Sequence, residues 1–203
     1  MVRGERIKYR GHEVCLFPMD YVFCTQVSGP SSYSHCCGHP CDWIGPNNVY
    51  PIYAPFSCTK ANFTDTSNGR IFYSDNKVWT PSGLTYASIY ICHDDNPLST
   101  TRFNQGDIIG HTGMYGFVTG DHTHLDQTKQ IATSTINSGI TCSGGNQCWM
   151  LPNSAYPYDV FYMSGSETIV DTYGMNFQTW NGRTGKMPIW MYKRLIDRKR
   201  GLA

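Results

Sequence analysis

The sequence predicts a mainly β, antiparallel fold with few short helices. Short runs of β-branched, aromatic and apolar residues recur between turn-forming residues, which is typical of strands in antiparallel sheets. These runs span residues 14–17, 50–54, 71–74, 85–93, 108–110 and 122–126. Helical periodicity is scarce, and residues 188–195 are the segment that favours a helix. We therefore expect many short strands joined by turns.

Composition excludes two classes of partner. The formal net charge is +1 and charged residues make up only 15% of the chain, so no broad basic surface for nucleic acid is expected. No stretch approaches the ~20 apolar residues that a membrane-spanning helix needs. The charged residues 1–9 also lack the apolar core of a secretory signal. We expect neither a nucleic-acid partner nor a membrane span.

Two histidines separated by one residue form the clearest chemical motif. Residues 120–126 read Gly-Asp-His-Thr-His-Leu-Asp. Because successive side chains of a strand point to opposite faces, His122 and His124 would project from the same face. One imidazole can bind a metal ion while the other transfers a proton. The pair alone is a weak indication, so the interpretation depends on finding further ligands upstream.

Three upstream segments supply those candidates. They are residues 33–55 with His35, His39, Asp42 and the run Pro-Ile-Tyr-Ala-Pro, residues 86–93 ending in His93, and the run Gly-Asp-Ile-Ile-Gly-His-Thr-Gly at residues 106–113. In this order, followed by His-x-His, the segments resemble the lysostaphin-like zinc endopeptidases of the M23 peptidase family. Members of that family cut peptide cross-links in bacterial cell walls. The resemblance covers under half of the chain, but the ordered combination is more specific than any one motif.

The resemblance implies a catalytic zinc site with His35, Asp42 and His124 as protein ligands. A catalytic site of this kind leaves its fourth position to water, whose pKa the ion lowers. His122 and His93 would not bind zinc. They would act as general base and as stabiliser of the tetrahedral intermediate or proton donor. The family fold, a folded β-sheet with a loop-walled groove, suits an extended peptide.

The first ligand has two candidates. His39 lies three residues before Asp42, as in the commonest form of the family, whereas His35 lies seven residues before it. We prefer His35, because Tyr-Ser-His followed by a small loop and Asp-Trp is similar to the longer-spaced form of phage lysins. His93 also has an alternative role as a core histidine, because it shares a predicted strand face with Ile89 and Ile91.

By this resemblance the chain is a single peptidase domain, residues 1–203, with a core at about residues 11–163. Residues 127–152 would be a loop insertion that walls the groove. Residues 164–203 would be a C-terminal extension that contains alternating aromatic residues and a basic end. Asp126, which follows the His-x-His motif, would orient a ligand or support strand pairing.

Nine cysteines allow two further interpretations. Cys36, Cys37 and Cys41 crowd the proposed zinc loop, so a structural site with thiolate ligands is an alternative, although no second Cys-x-x-Cys-like pair follows. Cys142 and Cys148 bracket a turn-like spacer and are candidates for a disulfide with each other. The high count favours oxidising surroundings.

These observations predict a Zn²⁺-dependent endopeptidase that hydrolyses peptides of bacterial peptidoglycan. We expect a bacteriophage lysin, either carried on the virion tail beside other phage tail proteins or released from the host cell to act on the wall. The alternative is a noncatalytic tail-tip binding or structural module with a degenerate fold. Because all five site positions are filled in this chain, the enzyme is preferred.

Overall fold

The computed structural model describes residues 1–170, and its main feature is an eight-stranded sheet. The elements are β1 (Lys8–Tyr9), β2 (His12–Glu13), β3 (Tyr21–Gln26), β4 (Cys41–Ile44), β5 (Pro51–Tyr53), β6 (Cys58–Lys60), β7 (Arg70–Ser74), β8 (Val78–Thr80), β9 (Gly83–Thr85), β10 (Ser88–Ile91), β11 (Arg102–Phe103), β12 (Ile108–His111), β13 (Thr123–Thr128), β14 (Ile136–Thr141), β15 (Gln147–Met150), α1 (Pro157–Val160) and β16 (Thr168–Ile169). The predicted mainly β class with few short helices is confirmed. The predicted helix at residues 188–195 lies outside the described residues.

The large sheet has the strand order β11-β6-β7-β10-β13-β4-β3-β16. Residues 1–170 also form four two-stranded sheets, made by β1 with β2, β5 with β12, β8 with β9, and β14 with β15. The ladder between β16 and β3 is parallel, whereas the other strand ladders within residues 1–170 are antiparallel. The sheet is therefore antiparallel except at one edge. Within residues 1–170, no helix has the length and apolar character needed to cross a bilayer.

Strict alternation of side chains gives the central strands two different faces. Trp43 of β4, Leu125 of β13 and Ile89 of β10 are fully buried in the main hydrophobic core. Trp43 packs edge-on against Phe17 with ring centroids 4.8 Å apart. The residues between these core positions point to the opposite face, because successive strand side chains alternate. That second face carries Asp42 and the polar groups described below.

Two predicted strands differ from the structure. The run at residues 85–93 is split into β9 and β10, because residues 86–87 are not in a strand and β10 ends at Ile91. Residues 14–17 form only isolated bridges, from Val14 to Trp79 and from Leu16 to Tyr162. Both segments consist mostly of buried apolar residues. Burial alone does not require that such a segment pair with another strand.

The predicted loop insertion at residues 127–152 contains the hairpin β14–β15, which two disulfides fasten to the segment after His35. Cys36 is bonded to Cys142 and Cys37 to Cys148. The predicted Cys142–Cys148 bridge is therefore wrong. These bonds also remove the thiolates that a cysteine-rich zinc site would need.

The remaining cysteines of residues 1–170 are free and buried. They are Cys15, Cys24, Cys41, Cys58 and Cys92. Burial raises the pKa of the Cys15, Cys58 and Cys92 thiols above the ordinary range, so these groups stay protonated and pack as small apolar side chains.

Core packing directly behind the polar face yields a stability prediction. Leu125 is fully buried, and we expect Leu125→Ala to lower the free energy of unfolding by about 2–5 kcal/mol, since it leaves a cavity. The matched change Leu84→Ala removes an exposed leucine of β9 and should cost less than about 1 kcal/mol. Urea denaturation measures both values, and equal losses would contradict this description of the core.

Candidate metal centre

The pairing of β4 with β13 brings an acid and a histidine together. Asp42 lies directly opposite His124 in the antiparallel ladder. Both side chains point away from the core face, which their strand neighbours Trp43 and Leu125 occupy. Cross-strand partners on one face lie within about 4.5–5.5 Å at Cβ, so their polar ends meet without any loop rearrangement.

His35 completes the cluster from the segment that precedes β4. Its ring is 3% exposed, and its Nε2 lies 3.3 Å from Asp42 Oδ1 and 2.9 Å from His124 Nδ1. His124 Nδ1 lies 3.5 Å from the same Asp42 oxygen. The three atoms therefore form a small triangle on the polar face of the sheet.

The dimensions of this triangle fit a zinc ion. Zinc–ligand bonds of about 2.0–2.1 Å in a tetrahedron require ligand atoms roughly 3.3 Å apart, and the three observed separations of 2.9, 3.3 and 3.5 Å bracket that value. Asp42 Oδ1 is buried and has no hydrogen-bond partner within the described part of the chain. A buried carboxylate oxygen without a donor is costly, and a cation would compensate it. Two imidazoles and one carboxylate are also ligands that zinc prefers.

The ionisation states of the cluster favour ligation. Burial lowers the pKa of His35, so this imidazole is neutral at pH 7. Burial opposes ionisation of Asp42, but the neighbouring His35 and His124 outweigh it and hold the pKa of Asp42 well below its usual range. Neutral imidazole and ionised carboxylate are the forms that bind metal.

A second pair of histidines lies beside the triangle. The ring centroids of His93 and His122 are 4.6 Å apart, and His122 Nε2 lies 3.8 Å from Asp42 Oδ2. His122 Nδ1 is 2.8 Å from the Gly120 carbonyl, and His93 Nδ1 is 2.9 Å from the Tyr115 carbonyl. Because a carbonyl oxygen only accepts, each Nδ1 must donate. In the neutral rings each Nε2 therefore has a free lone pair.

The backbone at His93 explains its position. The strand has ended at Ile91, and His93 adopts a φ of +79°, a conformation that is uncommon for residues other than glycine. Gly113 permits this turn, because a Cβ at that position would lie 2.2 Å from the His93 carbonyl oxygen. The ring consequently lies beside His122, where it is buried and its Nδ1 is bonded to the Tyr115 carbonyl.

His39 is separated from the cluster. Its ring stacks on Tyr156 with centroids 3.6 Å apart, and its backbone N–H donates to Ser154 Oγ at 2.8 Å. The structure thus groups His35, and not His39, with Asp42 and His124.

Asp126 anchors the next part of the chain. This fully buried carboxylate accepts hydrogen bonds from the backbone N–H groups of Gln127 and Leu151 and from Ser154 Oγ. It thereby fastens the segment after β15 to the strand that carries His124, which is a supporting role and not ligation.

A groove of about 410 Å³ contains the whole constellation. His35, Asp42, His93, His122 and His124 border it together with aromatic and amide side chains that sequence reasoning missed. The missed residues include Tyr33, Phe117, Asn146, Gln147 and Trp149. They come from loops and from the hairpin. Apart from Tyr33, which lies two residues before His35, no motif in the sequence connects them to the histidines.

Comparison with known proteins gives curated relatives and solved structures that are similar to the chain. No family model matches the chain. "Morphogenesis protein 1" of Bacillus phage B103 is 32% identical over 181 residues, which is 83% of this chain and 45% of that protein. The chain therefore spans less than half the length of this relative.

Among solved structures, the catalytic domain of lysostaphin from Staphylococcus simulans is 18% identical, with a TM-score of 0.34, over 46% of this chain and 68% of that chain. LytU is 24% identical, with a TM-score of 0.39, over 53% and 74%. A zinc-containing peptidase from Vibrio cholerae is 14% identical, with a TM-score of 0.38, over 60% and 42%. These TM-scores are below 0.5, so the function must be argued from the site itself.

The burial of His93 yields a pH prediction for the metal-free protein. Burial lowers the pKa of His93 to about 4, whereas an unfolded histidine titrates near 6.5. The unfolded chain then binds more protons between pH 6.5 and 4, so stability is full above pH 6.5 and decreases as the pH falls through this window. The contribution of His93 to this loss is at most roughly 3 kcal/mol.

We expect His93→Gln to flatten this pH dependence, since the variant lacks the titrating ring. Urea denaturation in the presence of a chelator at pH 7, 6, 5 and 4 measures the slope. His12→Gln, a histidine outside the groove, is the matched control and should keep the wild-type slope. Identical slopes of unfolding free energy against pH for wild type and His93→Gln would show that a lowered pKa of His93 does not cause the pH dependence.

Proposed function

We propose that the chain is a zinc-dependent endopeptidase that hydrolyses peptide bonds of bacterial peptidoglycan. One observation carries the proposal. The buried triangle of His35 Nε2, Asp42 Oδ1 and His124 Nδ1 has the dimensions of a zinc site and lies in an open groove beside two further histidines. A structural zinc site would be closed by a fourth protein ligand, whereas a catalytic one leaves a position for water.

His35, Asp42 and His124 would hold the ion. When bound, zinc would lower the pKa of a water molecule and polarise the scissile carbonyl. Asp42 and the two neutral imidazoles leave the site with net positive charge, which suits both tasks.

His122 would remove the proton from the attacking water. Its Nδ1–H donates to the Gly120 carbonyl, so its Nε2 lone pair is directed to the side of Asp42 and is available for a proton. His93 is neutral in the resting protein, because burial lowers its pKa to about 4. It can therefore stabilise negative charge or donate to the leaving amine only after a proton has reached its Nε2.

The phage relative supports the biological setting of this proposal. It is named a morphogenesis protein, so a place in phage assembly is a reasonable extension to this chain. We propose a cell-wall-degrading lysin of a bacteriophage, acting on the wall from the virion tail, with other tail proteins as partners, or after release from the host cell. The single-domain division, with a core at residues 11–163 and an extension at residues 164–203, stays part of this proposal.

The name of the relative also favours a second candidate. A morphogenesis protein can serve assembly alone, so the chain would then be a noncatalytic structural module that keeps the fold. The filled constellation of three ligands and two further histidines supports the enzyme instead.

Substitutions separate metal binding from turnover. We expect His124→Ala and Asp42→Ala to abolish zinc retention and wall clearing together, since each removes a ligand atom. His122→Ala should retain zinc and lower turnover by roughly 10²–10⁴-fold, the usual contribution of a general base. Elemental analysis after gel filtration measures zinc, and loss of turbidity of purified cell walls measures clearing.

His39→Ala is the matched control, because His39 contacts Tyr156 and not the cluster. It should change neither zinc content nor clearing. Loss of zinc from His122→Ala, or from His39→Ala, would show that the ligand assignment is wrong.

Metal removal tests the reaction class. A chelator should stop wall clearing, and added zinc should restore it. Mass spectrometry of the released fragments should show new amino and carboxyl ends within peptides. Clearing that persists without zinc, or fragments cut only in the glycan, would overturn the proposed function. Zinc-loaded protein that releases no fragment would favour the structural module.

A further inference from the structure

The hairpin β14–β15 forms one wall of the groove. Asn146, Gln147 and Trp149 border the groove together with His35 and the other site residues. Trp149 is 50% exposed, although tryptophan is among the most apolar of side chains. A large ring left half in solvent next to a candidate metal centre is available to contact whatever enters the groove.

The hairpin has almost no hydrophobic core of its own. Within residues 1–170, its two strands pair only with each other, and most residues of β14 are exposed. The buried contacts at its base are the disulfide-bonded cysteines themselves, with Met150 packed against them. An isolated two-stranded hairpin is marginally stable in water. The two disulfides therefore hold this hairpin in place.

The same bonds join the wall to the ligand segment. Cys36 and Cys37, which follow His35 directly, are bonded to Cys142 and Cys148. Between the bridges, the Gly144 N–H donates to the Tyr33 carbonyl at 3.0 Å. The Tyr33 ring lies close against Gly144, where a Cβ would come within 2.6 Å of it. The hairpin is thus fastened to the segment before Asp42 by two disulfides, one backbone hydrogen bond and one ring contact.

The lining of the groove indicates what it can accept. Phe117, which is 72% exposed, Val118 and Thr119 border it as well. Within residues 1–170, the lining contains no lysine, arginine or glutamate, and its single carboxylate is Asp42 of the candidate metal set. Apart from the candidate metal centre, a charged substrate side chain would find no counter-charge in this lining, so its desolvation would be uncompensated. Aromatic faces and amides instead suit peptide backbone and uncharged side chains.

We propose that Trp149 is a specificity-determining residue, which the disulfide-braced hairpin holds against an uncharged stretch of the substrate peptide next to the scissile bond. This inference rests on the proposed endopeptidase function and adds a substrate preference and a contact residue to it.

Kinetics on a defined peptide test the contact. The probe is a quenched fluorogenic peptide that spans the wall bond identified by mass spectrometry. Trp149→Ala should raise KM roughly 10-fold, the loss typical of a buried aromatic contact, and leave kcat and zinc content within about 2-fold of wild type. Trp149→Phe should recover most of the affinity. Ile140→Ala removes an exposed apolar residue of the same hairpin outside the groove lining and should behave as wild type.

The same assay tests the preference for uncharged peptide. Replacing one uncharged residue beside the scissile bond with lysine or glutamate should raise KM for the wild type. An identified bond flanked on both sides by charged residues, or an unchanged KM for Trp149→Ala, would overturn the inference.

A further set of variants tests whether the disulfide between Cys37 and Cys148 positions Trp149. Cys37→Ala combined with Cys148→Ala removes one disulfide and leaves Cys36–Cys142 intact. If the brace presents Trp149, this pair should raise KM, and adding Trp149→Ala should raise it by less than about 2-fold more. If the increases in KM from the cysteine pair and from Trp149→Ala multiply fully in zinc-loaded, folded protein, Trp149 acts independently of this disulfide. Trp149→Ala and Trp149→Phe test the contact between Trp149 and the substrate even if the protein that lacks Cys37 and Cys148 fails to fold.

The two proposals fail in different ways. If wild-type protein holds zinc but cleaves no wall peptide, the proposed function fails, and equilibrium binding of amidase-released wall peptides replaces KM as the readout. Weaker binding by Trp149→Ala would then support Trp149 as a contact residue for the peptide, and unchanged binding would exclude it. If wild type cleaves and Trp149→Ala matches it, only the further inference fails.

Discussion

The antiparallel register between β4 and β13 is the constraint on which the rest of the site depends. It places Asp42 opposite His124, and the alternation of strand side chains sends both to the face away from Trp43 and Leu125. A slip of one residue would exchange the two faces, burying the carboxylate in an apolar core. The fully buried neighbours on the core side therefore fix the register, and the register fixes the acid–imidazole pair.

The other parts of the site are less regular and are fixed differently. His35 comes from a segment that two disulfides tie to the hairpin, whereas His93 depends on a turn with positive φ that Gly113 accommodates. The candidate centre thus combines a rigid sheet with two locally constrained segments. The sheet therefore positions Asp42 and His124, whereas the two constrained segments position His35 and His93 at the groove.

Sequence reasoning predicted the elements that depend on local pattern. The β class and the strands at residues 50–54, 71–74 and 108–110 agree with the structure. The structure also places His35 beside Asp42, while its role as a zinc ligand stays a proposal. The predicted Cys142–Cys148 bridge is wrong, because spacing along the chain does not show which cysteines meet in three dimensions. The division of residues 85–93 and the position of His93 depend on backbone turns that periodicity does not reveal. Trp149 carries no motif at all, since its role follows only from where the hairpin is fastened.

X-ray absorption at the zinc edge of the zinc-loaded chain tests the central claim most directly. Two histidines, one carboxylate and an exchangeable water predict nitrogen and oxygen scatterers at about 2.0–2.2 Å and no sulfur. In Asp42→Ala this pattern should be lost. Sulfur scattering at about 2.3 Å, or an unchanged coordination pattern in Asp42→Ala, would contradict the account.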